Sequence, residues 1–330
     1  MKGRVERILT CLFNQKKITR SQFLKLCAGG LTLLAAEKLL FKKLYAVQEN
    51  TNARVSRNIK GAFDLVSAHG DDPYKMTIQA VNAMGGMAKF VKKDSVVVIK
   101  PNIGWDRTPE QAANTNPQVV AALIDMCRQA GARRINVFDI TCNETRRCYV
   151  SSGIQKIARE KGAVVYMAED WNMIKAKFAY KSPMEDWPIF RDALTCDTFI
   201  NLPVLKNHRL TTLTLSIKNL MGVCGGSRGK MHFNIAEKLV HLADFMKPDL
   251  TVIDAYRVLM DNGPSGGDLN DVVLKKSLIV GTDPVLTDAY ASRLVDIDPM
   301  SIPYIKLGVT NKLGSADLAG ARIERINTTP

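Results

Sequence analysis

The chain lacks any Cys-x-x-Cys pair in its 330 residues. An embedded iron–sulfur cluster and a structural zinc both draw on close cysteine spacing, so both find weak support. Cys127, Cys142, Cys148, Cys196 and Cys224 follow the first 46 residues, an odd number in a chain too large to need staples. Cys142 and Cys148 share one loop, spaced for either a disulfide or a pair of thiolates on a metal. The chain also lacks a basic stripe interleaved with aromatics, so nucleic acid is not an expected partner. No Gly-x-Gly-x-x-Gly follows its first strand, which disfavours a dinucleotide site. The run Cys224-Gly225-Gly226-Ser227-Arg228-Gly229-Lys230 fails the Walker pattern twice, with Cys224 in place of the first glycine and Met231 in place of Ser/Thr. Internal repeats and low-complexity linkers are absent as well.

What is present begins with an uneven charge. Of a formal +14, residues 1–46 contribute a surplus of eight, leaving a mildly basic body. A basic stretch from Met1 to Lys25 precedes the short apolar segment Leu26 to Ala36, which Glu37-Lys38 interrupts. A spanning helix needs ~20 apolar residues, so this is the architecture of an export signal or N-terminal anchor. Thr19-Arg20-Ser21-Gln22-Phe23-Leu24-Lys25 is similar to a twin-arginine signal with Ser21 where the second arginine would stand. The expected location is exported, periplasmic or tethered on the outer side of a membrane. Residues 1–46 are then the part that meets the export machinery and the membrane.

Residues 47–330 read as a single α/β domain. Short Val/Ile-rich runs at 95–99, 135–138, 163–167, 198–202, 250–253 and 277–280 are strands covered on both faces, the mark of a parallel sheet. Helical patterns at 74–90, 117–130, 152–161, 233–246 and 284–294 alternate with them. The expected architecture is a mostly parallel Rossmann-like sheet with helices on both faces and loop insertions at 105–116 and 171–191.

Five of these runs end in polar groups that no core holds comfortably. Lys100 and Asn102 follow the first, Asp139 the second, Asn201 the third, Asp254 the fourth, and Gly281 with Asp283 the fifth. In an open parallel sheet the ligand crevice lies outside the carboxyl ends of the strands, so these termini are expected to converge. The densest cluster is 201–222, where Lys206, His208 and Lys218 offer two cations and a group able to move a proton near neutral pH. That set is the candidate catalytic group for a small anionic ligand, carboxylate or phosphate. Lys100, Asn102, Asn116, Asn201 and Asn219 are expected to bind it, and Gly266 and Gly267 to approach it with backbone N–H groups. Asp139, Asp254 and Asp283 are the candidate ligands of a divalent metal, resting on their shared place at strand ends.

Val98-Ile99-Lys100-Pro101-Asn102, Asn114-Thr115-Asn116-Pro117, Asn201-Leu202-Pro203-Val204-Leu205-Lys206-Asn207-His208, Ser216 to Gly222 and Gly281-Thr282-Asp283-Pro284-Val285 with Asp288, in this order, resemble the family called domain of unknown function number 362. The resemblance runs from about residue 60 to 320. It implies a frequently exported protein, often with an added ferredoxin-like segment that is missing here. The family is in turn distantly similar to nickel-dependent lactate racemases, which implies small hydroxy or carboxylic acids as ligands. Two functions follow: an enzyme on a small anionic substrate, metal- or redox-linked, or a non-catalytic exported accessory protein for a redox partner.

Overall fold

The computed structural model describes residues 51–328, so the expected signal or anchor over 1–46 lies outside them. A ten-stranded sheet organises the body. In chain order the strands are β1 (Leu65–His69), β2 (Val96–Pro101), β3 (Arg134–Val137), β4 (Val164–Val165), β5 (Met173–Lys175), β6 (Pro188–Phe190), β7 (Thr198–Leu202), β8 (Val204–His208), β9 (Thr212–Thr214), β10 (Leu250–Leu259), β11 (Val272–Gly281) and β12 (Ile323–Asn327). The large sheet runs β12-β1-β11-β10-β7-β2-β3-β4, with β8 alongside β10 and β9 on β8; β5 and β6 form a separate hairpin inside the 171–191 insertion.

From β4 through β3, β2 and β7 to β10 every pairing is parallel. β11 breaks the run, lying antiparallel to both β10 and β1. The sheet is thus mostly parallel, as the covered Val/Ile runs predict. Alternate side chains feed two cores: in β2, Val97 and Ile99 pack with the helices Pro73–Ala83 and Pro117–Gln129, while Val98 faces the side of Ile235–Met246 and Pro284–Arg293. Helices therefore cover both faces, and each fully buried aliphatic side chain contributes ~1.5–3 kcal/mol.

Local signals explain the helix that matters most to the site. Pro117 occupies its first turn, and the Asn116 side chain accepts the Gln118 N–H at 2.9 Å. Val119, Val120, Leu123, Ile124 and Cys127 recur at helical spacing and are buried. Gly131, at φ +88°, takes the left-handed position that ends it. The expected helix over 74–90 instead stops at Ala83, because Gly85 and Gly86 both adopt positive φ, and a short 3-10 turn at Met87–Lys89 follows. No helix among the described residues is long and apolar enough to cross a membrane.

Candidate functional site

The carboxyl ends of β2, β3 and β8 open into a cavity of about 690 Å³. Parallel register puts them there: Lys100 pairs with Asn201, and β8 carries the chain onward from β7 along β10.

Lys100 is completely buried and its Nζ meets Asp139 Oδ1 at 2.7 Å. It also donates to the Pro101 carbonyl at 2.8 Å and to Asn219 Oδ1 at 3.1 Å. Asp139 Oδ2 accepts the Ile103 N–H at 2.7 Å, and Oδ1 accepts that of Ile140 at 3.0 Å. Both carboxylate oxygens are therefore engaged. Tyr149 braces the residue from behind, its hydroxyl donating to the Asp139 carbonyl at 2.9 Å. Gly222 completes the arrangement by having no side chain: a Cβ there would collide with Asp139 Oδ1 and lie 2.6 Å from Lys100 Nζ.

Asn219 is the hub of the floor. Its Oδ1 accepts from Lys100 Nζ and from Asn102 Nδ2 at 3.0 Å, and its Nδ2 donates to Asn201 Oδ1 at 2.9 Å. Asn201 in turn donates to the Ser216 carbonyl at 2.9 Å, so it braces the floor from beneath. The turn bearing Lys218 and Asn219 is held by Asp288, whose oxygens accept the Ser216 and Ile217 N–H groups at 2.7 and 3.1 Å. Burial pushes the Asp288 carboxyl up to about 7.

Lys206, 1% exposed, donates from Nζ to the Ala113 carbonyl at 2.5 Å and to Asn102 Oδ1 at 3.2 Å. Burial, with the nearby Lys218 and Lys100 charges adding to it, brings its pKa down to about 7. Lys218 lines the same cavity and is 8% exposed.

His208, expected as an acid or base, lines the same cavity. Its Nδ1 accepts the N–H groups of Leu210 and Thr211 at 3.1 and 3.3 Å, which puts the proton of the neutral ring on Nε2. Burial first, and then the Lys218, Lys206 and His232 charges, lower its pKa to about 3. Near neutral pH it is a fixed hydrogen-bond donor. Of the two, Lys206 is the group whose pKa lies in that range.

Several expected site residues lie elsewhere. Asn116 and Asp254 bind each other, the Asn116 N–H donating to Asp254 Oδ2 at 2.8 Å. Asp254 sits in the middle of a ten-residue strand, and burial raises its pKa to about 6. Asp283 caps the helix Pro284–Arg293, accepting the Val285 and Leu286 N–H groups at 2.8 and 3.0 Å. The direction of β11 takes it away: Gly281 pairs with Thr251 at the start of β10, and the chain leads on from there away from the cavity. The Gly266 N–H donates within its own loop to the Asn262 carbonyl at 3.1 Å, and the Gly266 and Gly267 carbonyls accept from Arg107 at 3.1 Å and from Gln111 at 2.7 Å. The three aspartates expected as metal ligands are thus dispersed, and no group of three or more His, Cys, Asp or Glu able to hold a metal ion occurs among the described residues.

Cys142 and Cys148 are both free thiols, the first exposed on the cavity wall and the second buried, with its pKa pushed up to about 11. Two Gly-x-Ser-x-Gly runs, 225–229 and 263–267, give no nucleophile elbow, since neither joins a strand to a helix through its serine. Sequence reasoning missed the parts played by Tyr149 and Gly222. Gly222 ends the stretch 216–222, and its meaning lies only in what it leaves room for.

Residues 97–293, a span that includes every residue lining the cavity, match the family described as Domain of unknown function (DUF362). A thylakoid-associated protein of Synechocystis sp. (strain ATCC 27184 / PCC 6803 / Kazusa) is 27% identical over 237 residues, covering 67% of this chain and 69% of its own. Among solved structures, the lactate racemase apoprotein of Thermoanaerobacterium thermosaccharolyticum aligns at 8% identity and a TM-score of 0.43, over 74% of this chain and 61% of that one. A Thermotoga maritima protein aligns at 10% identity and a TM-score of 0.34, over 73% of this chain and 60% of its own.

Proposed function

We propose the following for a chain that belongs to the DUF362 family: it binds a small carboxylate or phosphate in the cavity at the ends of β2, β3 and β8, and moves a proton on the bound molecule with Lys206. One observation carries the reading. Lys100, Lys206 and Lys218 converge on a single cavity in which Asp139 is the one carboxylate among the described lining residues, and both oxygens of Asp139 are already engaged. Buried cations in excess of buried anions favour an anionic ligand, because it restores local neutrality. His208 Nε2–H supplies a neutral donor beside them. A lysine with a pKa near 7 is suited to accept or give a proton at physiological pH.

Calorimetry of the protein with inorganic phosphate and a panel of short carboxylates tests the binding step. Binding is expected to take up a proton near pH 7.5, since a bound anion raises the Lys206 pKa, and Lys206→Met is expected to abolish that uptake. No heat with any anion refutes the reading. Turnover is separated from mere binding by solvent exchange: an enzyme of this kind exchanges an acidic C–H of its bound acid with D2O, and Lys206→Met does not. Binding without exchange supports an accessory role instead.

Export through residues 1–46 belongs to the same proposal. It is supported by the basic-then-apolar pattern of that segment, and the Synechocystis relative is described as thylakoid-associated. Cell fractionation tests it, and recovery of the full-length chain solely in the cytoplasm counts against it.

A further inference from the structure

The cavity combines buried ammonium groups with partly exposed apolar surface. Lys100, Lys206 and Lys218 are 0%, 1% and 8% exposed, with the apolar Met221 at 4% in the same lining, while a fourth cation, Arg209, is exposed. Two large apolar groups of the lining are more exposed: Trp105 is half-buried and Leu210 is 53% exposed. A single exposed leucine is ordinary on any protein. Here it lines the same cavity as Trp105 and the buried ammonium groups.

Size points the same way. About 690 Å³ gives room for roughly twenty waters at ~30 Å³ each. Phosphate or acetate would fill only the inner end, whereas pockets of this volume ordinarily enclose molecules of drug size.

We propose that the ligand is an amphipathic anion, a carboxylate or phosphate monoester bearing a hydrocarbon or aryl body. It binds head-first on the lysines, with its body along Trp105 and Leu210. This rests on the anion-binding reading above and narrows its substrate class.

The test is calorimetry of the full chain with acetate, butanoate, hexanoate and octanoate, and with hexanol as the uncharged control. Affinity is expected to rise about fourfold per buried methylene until the tail reaches the mouth, with hexanol far weaker than hexanoate. Leu210→Ser and Trp105→Ala are expected to weaken hexanoate roughly fivefold or more while leaving acetate within about twofold. Leu210 is exposed, so its variant keeps the test valid even where Trp105→Ala fails to fold. A flat wild-type series, or an unchanged slope in Leu210→Ser, overturns the amphipathic ligand while leaving anion binding intact. Failure of every anion, acetate and phosphate included, overturns both.

Discussion

Replacing Gly222 by alanine sets two effects of opposite sign against each other. Gly222 lies in a 3-10 turn, Leu220–Val223, with no positive φ, so alanine fits the backbone there. In open space the change would stabilise the protein by ~0.4–1 kcal/mol, through the reduced freedom of the unfolded chain. The new Cβ, however, would collide with Asp139 Oδ1 and lie 2.6 Å from both Cε and Nζ of Lys100. Neither group retreats easily: the carboxylate is fixed by two backbone N–H groups, and Lys100 is wholly buried. Breaking a buried ion pair costs about 3–5 kcal/mol, because its charges stay behind uncompensated. Crowding wins, and the net loss is about 2–4 kcal/mol.

Urea unfolding of wild type and Gly222→Ala measures this as a lower midpoint at constant slope. In a melting experiment it appears as a fall of roughly 5–15 °C. The cause is isolated by repeating the substitution in a Lys100→Met/Asp139→Asn background, where no ion pair remains to be broken. There the cost is expected to shrink by at least ~1 kcal/mol, within the usual range for residues in contact. A neutral or stabilising Gly222→Ala, or an equal cost in both backgrounds, refutes the claim that this glycine exists to make room for the pair.

Asp249 accepts from Arg54 Nη2 at 2.8 Å, from Arg57 Nε at 2.6 Å and from the Phe199 N–H at 2.8 Å, so Asp249→Ala is expected to cost about 3–5 kcal/mol; a loss below ~1 kcal/mol in urea unfolding contradicts this. His208→Ala is expected to weaken anion binding about fivefold, one neutral hydrogen bond, without altering its pH profile between 5 and 7; a wild-type inflection near 6.5 that the variant loses would restore His208 as the titrating group. Lys206 has a folded pKa of about 7 against an ordinary 10.5, so between those values the unfolded chain holds a proton that the folded chain does not. Its contribution to stability is present above the unfolded pKa and is lost as pH falls through 7, at up to ~1.4 kcal/mol per unit, and Lys206→Met is expected to flatten that slope; an unchanged slope refutes the burial argument.

The Val/Ile runs announce covered strands, and the helical patterns at 117–130 and 284–294 announce helices, because both signals depend on neighbours close in sequence. Strand direction is another matter. A run such as Leu278-Ile279-Val280 is equally apolar whichever way it points, and only its pairing with β10 and β1 shows that it points the other way. Strand length hides similarly: Asp254 looks like a terminus, yet β10 continues to Leu259 because the carboxylate is satisfied by the Asn116 and Tyr256 N–H groups. A polar residue after an apolar run therefore marks the crevice only when the strand ends there and runs with its neighbours. Lys100 and Asn102 meet both conditions, Asp254 fails the first and Asp283 the second. The two that fail are carboxylates, while the groups that remain are mainly amides and ammonium ions. The sequence pattern thus suggests a metal, whereas the described lining of the cavity holds one engaged carboxylate beside three lysines, the charge balance on which the anion-binding proposal rests.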